Sequence, residues 1–413
     1  MSADPEIHQP ATLQNPPWLF GVLALSKGLV GGVTSLLLPY LLRKTGVPVD
    51  RIASIVAIGM SPAVWFFLWS PLADMGFRRR DWALSSALGG GLSLGIAILG
   101  IHGSQFMLTT LVFLACVFRG LFTAAVGGLL TGMPVSRRGR AAGWYQAGNI
   151  GGGAVGGGMV IWLADHASLP IVGAAISVAI TLPALAVVLI DEPLPVRTAI
   201  GRQFAVMFHD IRDLFRSART WLALLFFLSP VGAAALLYLI SGLAPEYHAS
   251  NNQVLWVTGI GGGLLTAVGC FAGGLLADRM NRMVAYALSG IPLAACALYL
   301  GLAHPTPTTF AAGYSLYCVA AGVAYAVFTA LVLDVIGHRR GGVCTAYAVL
   351  NSSGNFPVSY MTWLDGVGYK HWGLHGLMGT DALSNGGFAI LLLLIVAFVG
   401  RSGTAPDPSV NCA

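Results

Sequence analysis

Ser70-Pro71-Leu72-Ala73-Asp74 and Gly274-Leu275-Leu276-Ala277-Asp278 stand 204 residues apart. Each closes an apolar run, and each leads into arginines: Arg78, Arg79 and Arg80 after the first, Arg279 and Arg282 after the second. Arg137-Arg138-Gly139 and Arg339-Arg340-Gly341 form another pair, 202 residues apart. At that same offset Tyr145 matches Tyr347, Asn149 matches Asn351 and Gly152 matches Gly354. Several identities in one register mark an internal duplication, and duplicated helical halves recur in membrane folds.

Composition agrees with a membrane setting. Of 413 residues, 56% are hydrophobic and only 9% charged, whereas a soluble domain carries about 25% charged residues. That shortfall excludes a water-soluble enzyme. A helix needs ~20 apolar residues to cross ~30 Å of hydrocarbon. Twelve apolar runs meet this need, at roughly 18–42, 52–73, 82–101, 106–132, 141–163, 169–190, 220–244, 253–277, 283–303, 309–335, 343–366 and 383–401. Backbone groups in lipid must be satisfied within the segment, so the runs are helices. The expected fold is all-α, with twelve transmembrane helices in two pseudo-symmetric six-helix bundles. Residues 18–190 form the first bundle and 220–401 the second, with a tail at 1–17, a linker at 191–219 and a tail at 402–413.

The cations set the orientation. Loops after even-numbered spans, with Arg401, hold 16 of the 22 Lys and Arg residues, and loops after odd-numbered spans hold 4. The bias puts both termini in the cytoplasm. Residues 1–17 contain Asp4 and Glu6 but no Lys or Arg, which does not suit a signal peptide. In the linker, Arg212, Arg216 and Arg219 alternate with Ile211, Leu214 and Phe215, a pattern for a helix lying on the inner leaflet. The net charge of +6 is spread over short loops, so no nucleic-acid surface is implied. The six cysteines, at 116, 270, 296, 318, 344 and 412, include no C-x-x-C pair, and neither a zinc site nor a disulfide frame is suggested.

Two cations remain inside spans. Lys27 in span one and Arg119 in span four each cost ~3 kcal/mol on insertion scales, so each should face a cavity or a partner. Recognition of an anion or carboxylate suits both, since Arg offers a planar fork and Lys a point charge. The alternatives are snorkelling for Lys27 and a structural cation held by backbone carbonyls for Arg119. Span eleven places Tyr347, Asn351, Asn355, Ser359 and Thr362 on one helical face, with Pro357 breaking the ladder inside it. The candidate cavity set is Lys27, Arg119, Tyr145, Asn149, Tyr317, Asn351 and Asn355. Interhelical hydrogen bonding without a ligand is the competing account of the stripe. Asp365 ends the stripe near the outer face, as a proton carrier or a solvated loop acid.

Tyr314, Tyr317 and Tyr325 of span ten and Trp65 and Trp69 of span two could stack on a ligand or simply pack. Gly148, Gly152 and Gly156 suit close helix approach. Gly91-Leu92-Ser93-Leu94-Gly95 and the glycines at 151, 153 and 156 match enzyme motifs that need a strand–turn–helix, and here lie in apolar helices. No histidine falls within a span, and His371 with His375 reads as an outer-loop pair. At the basic end, Asp74 with Arg78 and Arg79, and Asp278 with Arg279 and Arg282, are the candidate gate: an Asp of one half pairs with an Arg of the other. Plain positive-inside topology is the alternative.

The paired loops resemble the signature loop of the major facilitator superfamily, glycine-x-x-x-Asp followed by basic residues. Gly274 and Asp278 fit it. The first copy departs, with Ser70 for the glycine and Met75 where a basic residue is usual. Asp74–Trp82, and Tyr347–Asp365 with its Asn351-Ser352-Ser353-Gly354-Asn355-Phe356-Pro357, are similar to the branch that includes muropeptide permeases and acetyl-CoA transporters. The compact length is more similar to inner-membrane siderophore permeases of Gram-negative bacteria. The resemblance implies a monomeric permease of a bacterial inner membrane that works by alternating access. It implies import of a siderophore or its ferric complex, with no resident cofactor or metal and iron only as part of the cargo. No ATP motif appears, so protons are the expected energy source. A muropeptide or other anionic metabolite is the alternative cargo, and a transporter-like sensor without net flux the alternative class.

Overall fold

The computed structural model describes residues 15–192, 200–337 and 342–402. Most of both expected tails, together with Arg197, Arg339 and Arg340, lies outside the described residues, as do the side chains of Arg202 and Arg401. All regular structure among the described residues is helical. In the first half run α1 Trp18–Gly32, α2 Leu38–Lys44, α3 Val49–Met60, α4 Pro62–Trp65, α5 Arg79–Leu99, α6 Gln105–Thr131, α7 Arg138–His166 and α8 Leu169–Ala184. Then come α9 Ile200–Arg216, α10 Ala218–Phe227, α11 Leu236–Leu243, α12 Asn251–Trp256, α13 Gly262–Arg279, α14 Arg282–Leu302, α15 Pro307–Ile336, α16 Val343–Ser353 and α17 Asn355–Ser402. Eight segments among the described residues are long and apolar enough to cross a membrane, and one of these, Val343–Phe398, is 56 residues long.

Helix breaks follow the prolines and glycines. Pro39 cannot donate to the carbonyl of Ser35, and a π-turn at Val33–Leu37 joins α1 to α2. Pro62 and Pro71 divide the run expected at 52–73 into α3, α4 and short 3₁₀ turns. The run expected at 220–244 is also discontinuous. Residues 228–235 separate α10 from α11 and hold Ser229-Pro230, with Gly232 at φ 78° and Ala234 at φ 48°.

Pro357 leaves the carbonyl of Ser353 without its helical donor, so α16 ends there and α17 starts beyond Gly354. α17 then runs past the expected edge at 366. It turns only at Trp372 and Gly373, where Gly373 has φ 60°. What read as an outer loop at 367–382 is therefore a helical hairpin, and its two arms approach closely at Gly368 and Gly376. His371 sits at the end of the first arm.

The apolar cores show how the halves meet. At the arginine-rich end one core draws on both: Phe20, Leu130 and Tyr145 share it with Val327, Leu331 and Leu350. At the opposite end the cores are separate. Val33, Leu37, Ile52, Leu108 and Val172 form one, and Leu243, Tyr247, Leu300, Phe310 and Leu377 form the other. The molecule is thus joined at the basic end and divided at the far end. α9 lies against this basic end, with Met207 and Leu214 buried.

Candidate functional site

A cavity of about 260 Å³ opens between the halves. From the first half it is lined by Lys27, Arg119, Gln146, Asn149 and Ile150. From the second come Tyr238, Tyr286, Tyr325 and Phe328, the broken segment Val231-Gly232-Ala233, and Asn351 and Asn355 beside the α16–α17 break. A smaller hollow of about 100 Å³, behind Lys27 and Arg119, reaches Ala63, Phe66 and Thr123.

Close helix contact places the lysine. A Cβ on Gly28 would collide with the carbonyl oxygen of Asn149, and one on Gly148 with the carbonyl oxygen of Gly21. Only bare Cα surfaces let α1 and α7 run this close. The contact sets Lys27 against Tyr145: Lys27 Nζ donates to Tyr145 Oη at 3.1 Å and lies 5.0 Å from the ring centroid. Arg119 Nε donates to the backbone carbonyl of Lys27 at 3.2 Å. That bond uses one of five guanidinium donors.

Among the described residues, neither Lys27 nor Arg119 has a carboxylate within ion-pair distance. Both cations border the same cavity. Two like charges in a site with low-dielectric walls repel, and an anion between them would relieve both.

The other cavity positions divide by role. Asn149 Nδ2 donates to Gln146 Oε1 at 3.2 Å, and Gln146 Nε2 crosses to Thr329 Oγ1 at 2.8 Å, linking α7 to α15. Asn355 Nδ2 donates across the halves to the carbonyl of Ala63 at 3.2 Å. Tyr286 Oη donates at 2.5 Å to the carbonyl of Val231 in the broken segment. Tyr145 stands behind Lys27 rather than on the cavity wall. Tyr317 lies elsewhere, in the core of the second half, and donates to both oxygens of Asp381 at 3.2 Å. Asp365 is fully buried near that pair, not at an exposed outer edge. Of the aromatic candidates Tyr325 reaches the cavity. Trp65 packs edge-on against Trp69, and Tyr314 stacks on Phe310.

The basic end is bound by carboxylates in an unexpected way. Asp74 Oδ1 accepts from Cys344 N at 2.9 Å, and Oδ2 accepts from Thr345 N at 2.9 Å and Thr345 Oγ1 at 2.7 Å. Asp278 Oδ1 accepts from Gly139 N at 2.7 Å, and Oδ2 accepts from Arg140 N and Nε, each at 3.1 Å. Each aspartate therefore caps the first turn of a helix in the opposite half: Asp74 on α16, Asp278 on α7. Those turns expose unpaired N–H groups and a partial positive charge, which a carboxylate satisfies directly. Among the described residues the expected Asp–Arg pairing across the halves is present once, as Asp278 with Arg140.

Arg282 approaches Asp278 of its own half at 4.0 Å, and the named arginines have further partners. Arg282 binds Asp334 at 2.7 Å and the carbonyl of Val135 in the other half at 2.6 Å. Arg79 and Arg80 offer backbone N–H groups to Glu192. Arg78 starts α5 in a local box with Asp81, and Arg279 is exposed. Sequence reasoning missed Asp334, which also holds Arg219 at 2.6 Å. It missed Arg138 too, whose guanidinium reaches the carbonyls of Leu333 and Gly337 across the halves. A lone acid at the end of span ten was the available signal for the first.

The sequence matches the Major Facilitator Superfamily over residues 20–359, well over half of the chain. The chain belongs to the major facilitator superfamily. This is a family of transporters, not of enzymes. Solved structures of the superfamily share its fold. The human organic anion transporter MFSD10 (TETRAN) aligns with a TM-score of 0.69 at 18% identity, covering 93% of this chain and 100% of that one. The transporter FucP in its outward conformation gives 0.70 at 15%, over 92% and 98%. The proton:xylose symporter XylE gives 0.67 at 15%, over 92% and 94%. Among curated proteins no sequence matches it significantly. No group of three or more His, Cys, Asp or Glu able to hold a metal occurs among the described residues of this superfamily member.

Proposed function

We propose that this chain is a secondary transporter importing a small organic anion across a bacterial inner membrane by alternating access. The observation that carries the anion reading is the pair of cations, Lys27 and Arg119, set on one cavity wall without a carboxylate partner. Facing them, Tyr238, Tyr286, Tyr325 and Phe328 offer aromatic surface, so an anion with a planar or phenolic body suits both walls. The neighbour MFSD10 is described as an organic anion transporter, and here the cavity charge makes the same point independently.

In this reading, residues 18–190 and 220–401 form two six-helix bundles joined by the linker 191–219. Joining the broken helices and counting the long α16–α17 segment as two passes gives twelve spans. The 16-to-4 cation bias assigns the joined basic end, and both termini, to the cytoplasm. The form described is then closed inward by Asp74, Asp278 and Arg282, with the cavity awaiting solute from outside. Asn351 and Asn355 on one side and Asn149 on the other orient the cargo. Asp365 is the proton-coupling acid. The transporter functions as a monomer.

The sequence resemblance within the superfamily supports a siderophore or its ferric complex as the cargo. The cavity volume lies just below the lower end, about 300 Å³, of pockets enclosing drug-sized ligands. It favours a compact chelator over a muropeptide of several residues.

Uptake by proteoliposomes tests the proposal. The panel is radiolabelled iron chelates bearing carboxylates, neutral hydroxamate chelates, a muropeptide and simple aromatic carboxylates, each with and without an imposed pH gradient. Accumulation of anionic members, increased by an inward proton gradient, is expected. Binding without accumulation would make the chain a sensor, and preference for neutral solutes would remove the anion reading.

A further inference from the structure

The hairpin of α17 buries a second polar centre, away from the cavity. Asp365 on its first arm and Asp381 and Asn385 on its second are all fully buried, as is Tyr317 on α15. Tyr317 donates to both oxygens of Asp381. Asn385 Nδ2 is anchored on the carbonyl of Asp381 at 3.0 Å, which leaves its Oδ1 without a partner. Both oxygens of Asp365 also have no partner, and the hairpin packs Gly368, three residues beyond Asp365, against Thr380, the neighbour of Asp381. The other titratable groups acting on this centre are Cys296 on α14 and Tyr325 on α15, and no cation is among them. A bare Asp365 carboxylate in an apolar core that holds a second buried acid is untenable, because burial and like charge both oppose its ionisation.

We propose that Asp365 and Asp381, with Tyr317 and Asn385, form a proton-binding site that carries one proton between the two carboxylates at neutral pH. Asp381 already accepts from Tyr317, so the proton is needed most at Asp365, whose oxygens have no donor. A proton needs no coordination shell and no wide entry. A metal ion would need several free oxygen ligands, and the Tyr317 hydroxyl is already engaged as a donor. The link to transport rests on the function proposed above, whereas the protonation does not. Asn355, Pro357 and Asp365 share the first arm of α17, so cavity and proton site lie about two to three helical turns apart on one rod. Movement of that arm at the Gly354 break would be felt at both sites.

Infrared spectroscopy of the purified full chain in lipid vesicles tests the site without any substrate. At neutral pH the wild type should show the carbonyl stretch of a protonated carboxylic acid, displaced in heavy water. Asp365→Asn with Asp381→Asn should abolish that band. Tyr317→Phe, which removes only a hydroxyl, should shift its frequency and provides a test if the double variant fails to fold. The site is refuted if the wild type has no such band, or if Tyr317→Phe and the double variant leave it unchanged. A band that disappears when sodium replaces choline in the buffer would refute it in favour of a metal ion. Failure of uptake with the band intact would refute the transport reading alone.

Discussion

Lys27 and Arg119 in the first half and Asp365 and Asp381 in the second are two bases and two acids that never meet. The cations border open space and have donors to spare. The carboxylates are sealed in a core, with their neighbours arranged around them. Opposite charges placed in contact would have neutralised each other and left nothing for a ligand. Kept apart, each centre stays incomplete in its own way: the open one accommodates a molecule, the sealed one only a proton. The same asymmetry runs along the molecule, joined at its basic end by one shared core and divided at the other.

The most severe way to break this contrast is to remove a cavity cation. Charged hydrogen bonds contribute about 1.5–3 kcal/mol, so Arg119→Ala or Lys27→Ala should lower uptake at subsaturating solute by roughly ten- to a hundredfold. Initial rates in proteoliposomes, normalised to folded protein by size-exclusion chromatography, provide the check. Normal rates would reduce these residues to structural cations.

Next in size is the joint at the basic end. Asp74→Ala removes three hydrogen bonds from the start of α16, and loss of an N-terminal cap costs about 1–2 kcal/mol. Cys344 is a native reporter, since it is fully buried under Asp74. Its alkylation by a water-soluble maleimide, followed by peptide mass spectrometry, should accelerate roughly tenfold in the variant. An unchanged rate would show that the shared apolar core alone keeps this end closed.

A finer probe is Tyr145→Phe. It keeps the ring under Lys27 and removes the hydroxyl that accepts from Nζ. One net hydrogen bond is worth about 0.5–1.5 kcal/mol, so apparent solute affinity should change only a few-fold, far less than in Lys27→Ala. An equal loss in both variants would make the tyrosine, not the lysine, the ligand-facing group.

Much of this organisation is legible in the sequence. The apolar runs, the duplicated Asp loops and the two cations inside spans identify the superfamily fold and one wall of the cavity. The aromatic wall was less legible, because Tyr238, Tyr286 and Phe328 look like ordinary apolar helix residues until three helices converge on them. Tyr317 and Tyr325 both belong to span ten, yet the two lie in different surroundings, one in the core and one on the cavity. Asp381 was hidden by the bend at Trp372 and Gly373: read as a loop, residues 367–382 placed it in solvent. Asp74 and Asp278 stand out in the sequence, but the helix starts they cap do not. Capping a distant helix N-terminus leaves no trace in side-chain spacing.

The central claim is that the paired cations bind an anion. Thermal unfolding of the purified chain against matched carboxylates and their amides tests it most directly, because a ligand that binds only the folded state raises stability in proportion to its occupancy. The account predicts stabilisation by at least one aromatic carboxylate, none by its amide, and loss of the difference in Arg119→Ala. Equal stabilisation by acid and amide in the wild type, or an undiminished difference in Arg119→Ala, would contradict it.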